Sequence, residues 1–441
     1  MAIFRPFQGL RYDPAVVGNP AAVTAPPYDV IDGAERDRLY AQSPHNVVRI
    51  DLSREADPYG SAARTLAEWR DAGAVTPDPK PSLYLYAQSF PLPDGTRRER
   101  IGIIGALRIE SFESGKVRPH ERTLEKAKND RYALLQACRV SLSPIFGLVS
   151  APELRLADLL PSTRPPDIDV RAKDGSHDRL WRLDDPAVLA AISAQVAPHE
   201  VFIADGHHRY ETALRYRDEQ RAAAGAAAPP AGAAPYDYVL AYLTTMEDDG
   251  LVIFPTHRLL ATLSLVPEAF RGALAEHFTV DEMPWSEAGL ATLLGRIEPV
   301  AHDRSSDAVH IGVAVAGAKT LWLCTAATST LPFAATVPAE LRALDVTALH
   351  QIVLAGILRL PIGDRGGAPG LTYTQNATRA LGLVERGEAA VAFFLPSTSV
   401  ADLRVVGLAG LTMPEKSTYF FPKLLTGLVF YPLAAPTAGG A

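Results

Sequence analysis

The residues best equipped for chemistry cluster in one stretch, Val201-Phe-Ile-Ala-Asp-Gly-His-His-Arg-Tyr-Glu-Thr-Ala-Leu214. Val201 to Ala204 are apolar, two of them β-branched, and predict a short buried strand. Asp205 and Gly206 supply a cap and a permissive turn, and Tyr210, Ala213 and Leu214 fall at helical spacing, so a helix begins near Gly206. His207, His208 and Arg209 then occupy its first turn. A helix start carries positive partial charge and N–H groups without intrahelical acceptors, so each of the three that is charged costs about 0.3–1 kcal/mol there. A bound phosphate reverses the sign of that cost. The bland alternative is that Asp205 alone neutralises the turn while both histidines stay neutral.

Other polar groups are candidates to join such a site. His120-Glu121 follows the turn-like Lys116-Val-Arg-Pro119, although an isolated surface glutamate is more often a solvated charge. Lys126 and Arg131 stand just beyond it, with a solvated helix face as the alternative. His257, in Pro255-Thr-His-Arg258, offers a proton carrier or phosphate ligand, or a structural histidine. Lys416, Ser417 and Lys423 sit in a proline-stiffened aromatic segment and could clamp a phosphate or carboxylate, or simply flank a core plug. Pro26 and Pro27 hold Tyr28 and Asp29 in a rigid loop. A zinc site from His207, His208 and His120 is disfavoured, because adjacent helical residues project about 100° apart. The metal is left unassigned.

Asp205-Gly-His-His-Arg-Tyr-Glu-Thr-Ala213 resembles the nucleotide-phosphate motif of the ParB/sulfiredoxin-like superfamily. ParB proteins carry a Gly-Glu-Arg-Arg box, sulfiredoxins a Gly-Cys-His-Arg box, and free serine kinases an Asp-Gly-His-Thr-Arg or Asp-Gly-His-His-Arg box that is the most similar of the three. Over nearly its whole length the chain is also similar to the bacterial DUF1015 family, through Ala25-Pro-Pro-Tyr-Asp-Val-Ile31, His120-Glu-Arg-Thr123, the helix motif and Met413-Pro-Glu-Lys-Ser-Thr-Tyr-Phe-Phe-Pro-Lys423.

The resemblance implies a nucleotide-dependent phosphotransferase acting on a small hydroxylated metabolite, free serine first among them, with ATP or ADP, or CTP, and Mg²⁺ as cofactors. It assigns Gly206, His207, His208 and Arg209 to the phosphate, Asp205 to orienting the hydroxyl or a metal, and Glu121 to accepting the hydroxyl proton, as in the kinases. This division of labour suits phosphoryl transfer, which asks mainly for positioning and charge stabilisation. One departure stands out: about eighty residues separate Glu121 from Asp205, far more than in the compact kinases, so the insertion must fold out as a lobe. A nucleotide-binding switch with slow hydrolysis and a phosphoserine phosphatase-like hydrolase are the alternatives.

The elements that must position these groups read as α+β: a mixed-sheet ParB/sulfiredoxin-like nucleotide-binding core with a large insertion at 1–220, an Ala/Pro/Gly-rich loop or linker at 221–235, and a C-terminal α/β region at 236–441. Leu83–Phe90 and Arg100–Ile109 predict a hairpin around Pro93-Asp-Gly95, Pro44–Ile50 a strand, and Asp345–Leu358 a capped helix. With 441 residues, 47% hydrophobic, the chain can bury a large core. A net charge of −7 without a long basic run argues against a nucleic-acid partner. Only Cys138 and Cys324 occur, which predicts no disulfide framework and a reducing cytoplasm. No signal peptide or membrane span is expected, the partners being a nucleotide and a small-molecule substrate. Oligomeric state is not legible.

Overall fold

The computed structural model describes residues 1–434 apart from 122, 124, 173, 302–307 and 364–366, with the backbone alone described at 125–127 and 299–301. The chain forms two compact units. One comprises Met1–Pro119, Thr123–Val252 and Pro422–Ala441, the other His120–Arg122 and Ile253–Phe421.

The first unit is organised by a nine-stranded mixed sheet. Its strands are β1 (Phe4–Arg5), β2 (Leu83–Pro91), β3 (Arg97–Arg108), β4 (Val117–Arg118), β5 (Ile145–Val149), β6 (Ile168–Arg171), β7 (His177–Leu183), β8 (Val201–Asp205) and β9 (Tyr238–Thr245). They run in the order β4-β8-β5-β9-β3-β2-β7-β6, with β1 paired to β3. The expected hairpin is β2–β3, antiparallel with Tyr84 opposite Ile104. Its turn is closed by Asp94, whose carboxylate accepts the N–H and hydroxyl of Thr96, and by Gly95 at φ 82°. Every residue of β9 is buried, as a strand covered on both faces requires. β9 runs antiparallel to β3 and parallel to β5.

Two helices matter for the site, α1 (Glu125–Cys138) and α2 (His207–Ala224). Tyr210 and Ala213 of α2 pack into the main core with Ile103, Leu243 and Ile203. Leu134 of α1 joins a second core with Leu39, Val48, Leu66, Trp69 and Phe430.

The second unit carries a six-stranded antiparallel sheet in the order Thr279–Pro284, Thr320–Ala327, Ala308–Val315, Val391–Phe394, His257–Leu260, Leu371–Thr374. Leu293 and Ile297 from one helix and Leu381 and Val384 from another cover it.

Three expectations change. Pro44–Ile50 is not a strand: Val48–Asp51 is helical, started by Asn46, whose side chain accepts the Val48 N–H while donating to the carbonyls of Ala22 and Thr24. A short apolar run does not by itself distinguish strand from helix, and Asn46 decides it here. The Ala-rich stretch at 221–235 begins as the last turn of α2 and lies inside the first unit rather than at a boundary, because β9 beyond it pairs in the middle of that unit's sheet. Asp345–Leu358 is helical, but Leu349–Ile357 is wound as a π-helix, and Asp345 reaches the N–H of His310 at 2.5 Å instead of capping.

Glycine at 102 in β3 makes room for the ring of Tyr242 in β9, since a Cβ there would lie 2.1 Å from it. That ring is fixed edge-on by Tyr86 and Phe146. Gly102→Ala is therefore expected to destabilise the first unit by about 1–3 kcal/mol, the usual cost of overpacking. A denaturant midpoint equal to that of the wild type would contradict this.

Candidate functional site

β8 is apolar and fully buried from Val201 to Ala204, and its register against β5 shifts between Ile203 and Asp205. Such an irregularity re-aims the side chain that follows it. The chain then turns through Gly206 at φ 89°, ψ 29°, a left-handed conformation that favours glycine, and α2 begins at His207. A Cβ at position 206 would also come within 3.0 Å of the Arg209 guanidinium. Glycine thus serves both the turn and the folding-back of Arg209.

Asp205 does not cap the helix, and the start of α2 has no side-chain cap. The carboxylate is used otherwise. Its Oδ1 accepts from Lys423 Nζ at 2.5 Å and its Oδ2 from Arg209 Nη2 at 2.7 Å. Arg209 also donates to the Pro144 carbonyl and to Ser143 Oγ. Burial alone would raise the Asp205 pKa, but the Lys423 ammonium and the Arg209 guanidinium outweigh it and hold the carboxyl well below the usual range. Two cations and one carboxylate stand beside an uncapped helix start, with the buried His207 adding to the field. This arrangement makes the α2 start a candidate anion site.

Lys423 is positioned by groups that the sequence did not single out. Arg100, fully buried in β3, donates to the Pro422 carbonyl at 2.6 Å, and Gln88 in β2 donates to the Lys423 carbonyl at 3.2 Å. Arg100 also donates to Gln88, whose amide reaches Asp178 at 2.8 Å, and Tyr86 donates to the same carboxylate at 2.5 Å. The guanidinium lies over the Phe146 ring at 4.6 Å. Arg100 ends the charged run Arg97-Arg-Glu-Arg100 that opens β3, so the sequence reads it as one more exposed charge although it is buried. Beyond Lys423 the segment pairs with the chain start, Ala25 with Thr426 and Leu10 with Phe430. The first of these fixes the Pro26-Pro27-Tyr28 loop.

Tyr28 lies beneath Arg131, whose guanidinium is 4.1 Å from its ring centre. Burial raises the Tyr28 hydroxyl to about 12, against the opposing charge of Arg209. Arg131 is buried in ion pairs with Asp51 at 2.6 Å and Asp130 at 2.6 Å, so it is not part of a solvated face. The side chain of Lys126 lies outside the described residues.

Glu121 belongs to the second unit. Its Oε1 accepts the Lys416 N–H at 3.1 Å, while the His120 carbonyl accepts the Met413 N–H at 2.8 Å. His120 is buried, with Nε2 2.9 Å from Thr418 Oγ1. Lys416 adopts φ 58° and passes its carbonyl to the buried Arg258. Ser417 uses its hydroxyl locally, donating to Pro414. The closing motif is thus divided, Lys416 and Ser417 in one unit and Lys423 in the other. His257 is buried and accepts the Leu395 N–H, and burial lowers its pKa to about 3. It is a neutral imidazole.

Among the described residues no group of three or more His, Cys, Asp or Glu side chains is arranged to hold a metal ion. No described helix is long and apolar enough to cross a membrane.

The strand, left-handed glycine and uncapped helix, with Asp205 held between two cations, define a mixed α+β protein with a candidate anion-binding turn. The chain belongs to the family described as "Protein of unknown function (DUF1015)", whose model matches residues 4–347. No curated protein matches it by sequence. Similar solved structures include a conserved hypothetical protein from Pyrococcus furiosus, at 12% identity and TM-score 0.34 over 73% of this chain and 92% of that one. A free serine kinase in complex with AMP is similar at 10% identity and TM-score 0.33, covering 72% and 86%. C-terminally truncated SbnI from Staphylococcus aureus is similar at 11% and TM-score 0.35, covering 75% and 87%.

Asp205 has a lower pKa folded than unfolded, so its ion pairs contribute stability that is complete above the unfolded value near 4 and is lost as pH falls through the folded one. Lys423→Met is expected to cost about 1.5–3 kcal/mol at neutral pH. The gap between variant and wild type should be full above about pH 5 and narrow below about pH 4. Thermal melts across pH 3–7 check this, and a pH-independent gap would contradict the assignment.

Proposed function

We propose that the protein is a nucleotide-dependent phosphotransferase with a ParB/sulfiredoxin-like core in its first unit, acting on a small hydroxylated metabolite, with free serine the first acceptor to test. The observation that carries the reading is the Asp205 carboxylate held by Lys423 and Arg209 at an uncapped helix start. Donors already converging on one carboxylate are arranged for the oxygens of a phosphate, which offers the same geometry with more charge. The resemblance of the Asp-Gly-His-His-Arg motif to that of the free serine kinases supplies the reaction class.

In this reading the α2 start, His207, His208, Arg209 and Lys423 hold the phosphates of ATP, ADP or CTP. Asp205, released from one of its cations, orients the acceptor hydroxyl or a nucleotide-bound Mg²⁺, an ion that commonly takes one or two carboxylates beside phosphate oxygens. By the resemblance to the free serine kinases, Glu121 is the group to test as acceptor of the hydroxyl proton.

The deciding experiment incubates the protein and Mg²⁺ with ATP, ADP, CTP or phosphoserine, with and without serine, and follows phosphorus NMR. A serine-dependent phosphoserine resonance with matching loss of donor supports the kinase direction. Phosphate released from phosphoserine reverses the direction, and unchanged nucleotide in every mixture overturns the proposal. Arg209→Ala is expected to weaken nucleotide binding about tenfold or more in calorimetry, by loss of a charged hydrogen bond. Glu121→Gln keeps shape and polarity but not basicity, so kcat should fall about 10²–10⁴-fold while nucleotide affinity changes little. Near-normal kcat in that variant would remove Glu121 from the chemistry.

A further inference from the structure

Beside the α2 start, within the first unit, lies a cavity of about 50 Å³ whose polar lining is Tyr28, Asp51, Arg131, Ser141, Ser143, Arg209 and Thr212. Leucine, valine and alanine side chains complete its walls. At roughly 10–15 Å³ for each water-sized group, it holds about four such groups. Its cationic donors are already engaged. Arg131 donates to Asp51 Oδ1, to the Asp51 carbonyl and to Asp130, and its guanidinium lies against the Tyr28 ring. Arg209 donates to Asp205, Ser143 and Pro144. Thr212 donates to the Arg209 carbonyl.

What is left over is an acceptor. Asp51 is 5% exposed, and its Oδ2 is buried without a hydrogen-bond partner. A buried carboxylate oxygen lacking a donor is costly and uncommon in native proteins. The cavity therefore asks for a ligand group that donates a hydrogen bond to Asp51 Oδ2. Arg209 is common to the cavity lining and the Asp205 ion pair, so one ligand can place an anion on one side of this guanidinium and an amine on the other.

We propose that the cavity at Tyr28, Asp51 and Arg131 is the subsite for an amine-bearing group of the ligand, with Asp51 Oδ2 as its acceptor. The proposal rests on the reading of the α2 start as the phosphate site, and it assigns specificity to a residue outside the motif. The same chemistry has two sources, the exocyclic amine of a nucleotide base and the ammonium group of an amino-acid acceptor.

Calorimetry on the full-length protein separates them. ATP is compared with inosine triphosphate, which lacks the base amine, and serine with glycerate, which lacks the ammonium. Discrimination of about tenfold or more is expected in one pair, and the pair that shows it names the source. Asp51→Asn keeps the shape and the acceptor for Arg131 but puts an NH₂ group in place of Oδ2, so it should abolish that discrimination. Leu142→Phe, which narrows the cavity from its apolar wall, should do the same should the Asn variant fold poorly. Absence of discrimination in both wild-type pairs, or its survival in both folded variants, overturns the subsite. Pyrophosphate carries no N–H and reports on the anion site alone. Failure of wild type to bind pyrophosphate, with amine discrimination intact, would sink the phosphate reading and leave the subsite standing.

Discussion

The first unit depends on a carboxylate that would be untenable alone. Asp205 stands at the end of a buried strand, where an unpaired charge is expensive, and it is kept ionised by Lys423 and Arg209 at 2.5 and 2.7 Å. The dependence runs both ways. Without Asp205, the two cations would face each other and the positive end of α2 with nothing between them. The carboxylate thus keeps the two cations aimed at one point beside the helix start.

Holding Lys423 in that position draws on the centre of the sheet. Arg100, Gln88, Tyr86 and Asp178 lie on neighbouring strands and are joined by hydrogen bonds, the fully buried guanidinium donating to the Gln88 amide and to the Pro422 carbonyl. A network of this kind is favourable only when it is nearly complete. Its demands explain why charged and amide side chains stand where the apolar pattern of β2 and β3 would lead one to expect aliphatic ones.

How much of this was legible follows from the distance over which each interaction acts. The β8–Gly206–α2 turn was readable because strand, glycine and helix are consecutive and each has a local signature. So was the β2–β3 hairpin, fixed by its Asp94-Gly95 turn. Lys423 was one of several candidate phosphate clamps, but its pairing with Asp205 spans 218 positions and leaves no trace in local spacing. Arg100 and Asp178 were invisible for the same reason. Asp51 was missed differently: it follows a run that reads as a strand, and only the helical turn begun by Asn46 brings it to Arg131. For Asp205 a helix cap was expected and an ion-pair centre was found.

The first unit is discontinuous, and this has a consequence for its assembly. The chain leaves it at Val252, builds the second unit, and returns only at Pro422, yet that returning segment supplies Lys423, the carbonyl that satisfies Arg100, and the backbone that pairs with Leu10 and Ala25. During synthesis, most of the sheet is available long before these partners leave the ribosome. Until then Asp205 has Arg209 but not Lys423, and Arg100 has Gln88 but not the Pro422 carbonyl, so the unit can be compact without being finished. Closure links residues 322 positions apart in the case of Arg100 and Pro422, which places it among the slowest kinds of native contact to form. The segment that returns at Pro422 is therefore the one that completes the ion pairs of Asp205, so that a molecule clipped before it would hold the sheet without Lys423 beside that carboxylate.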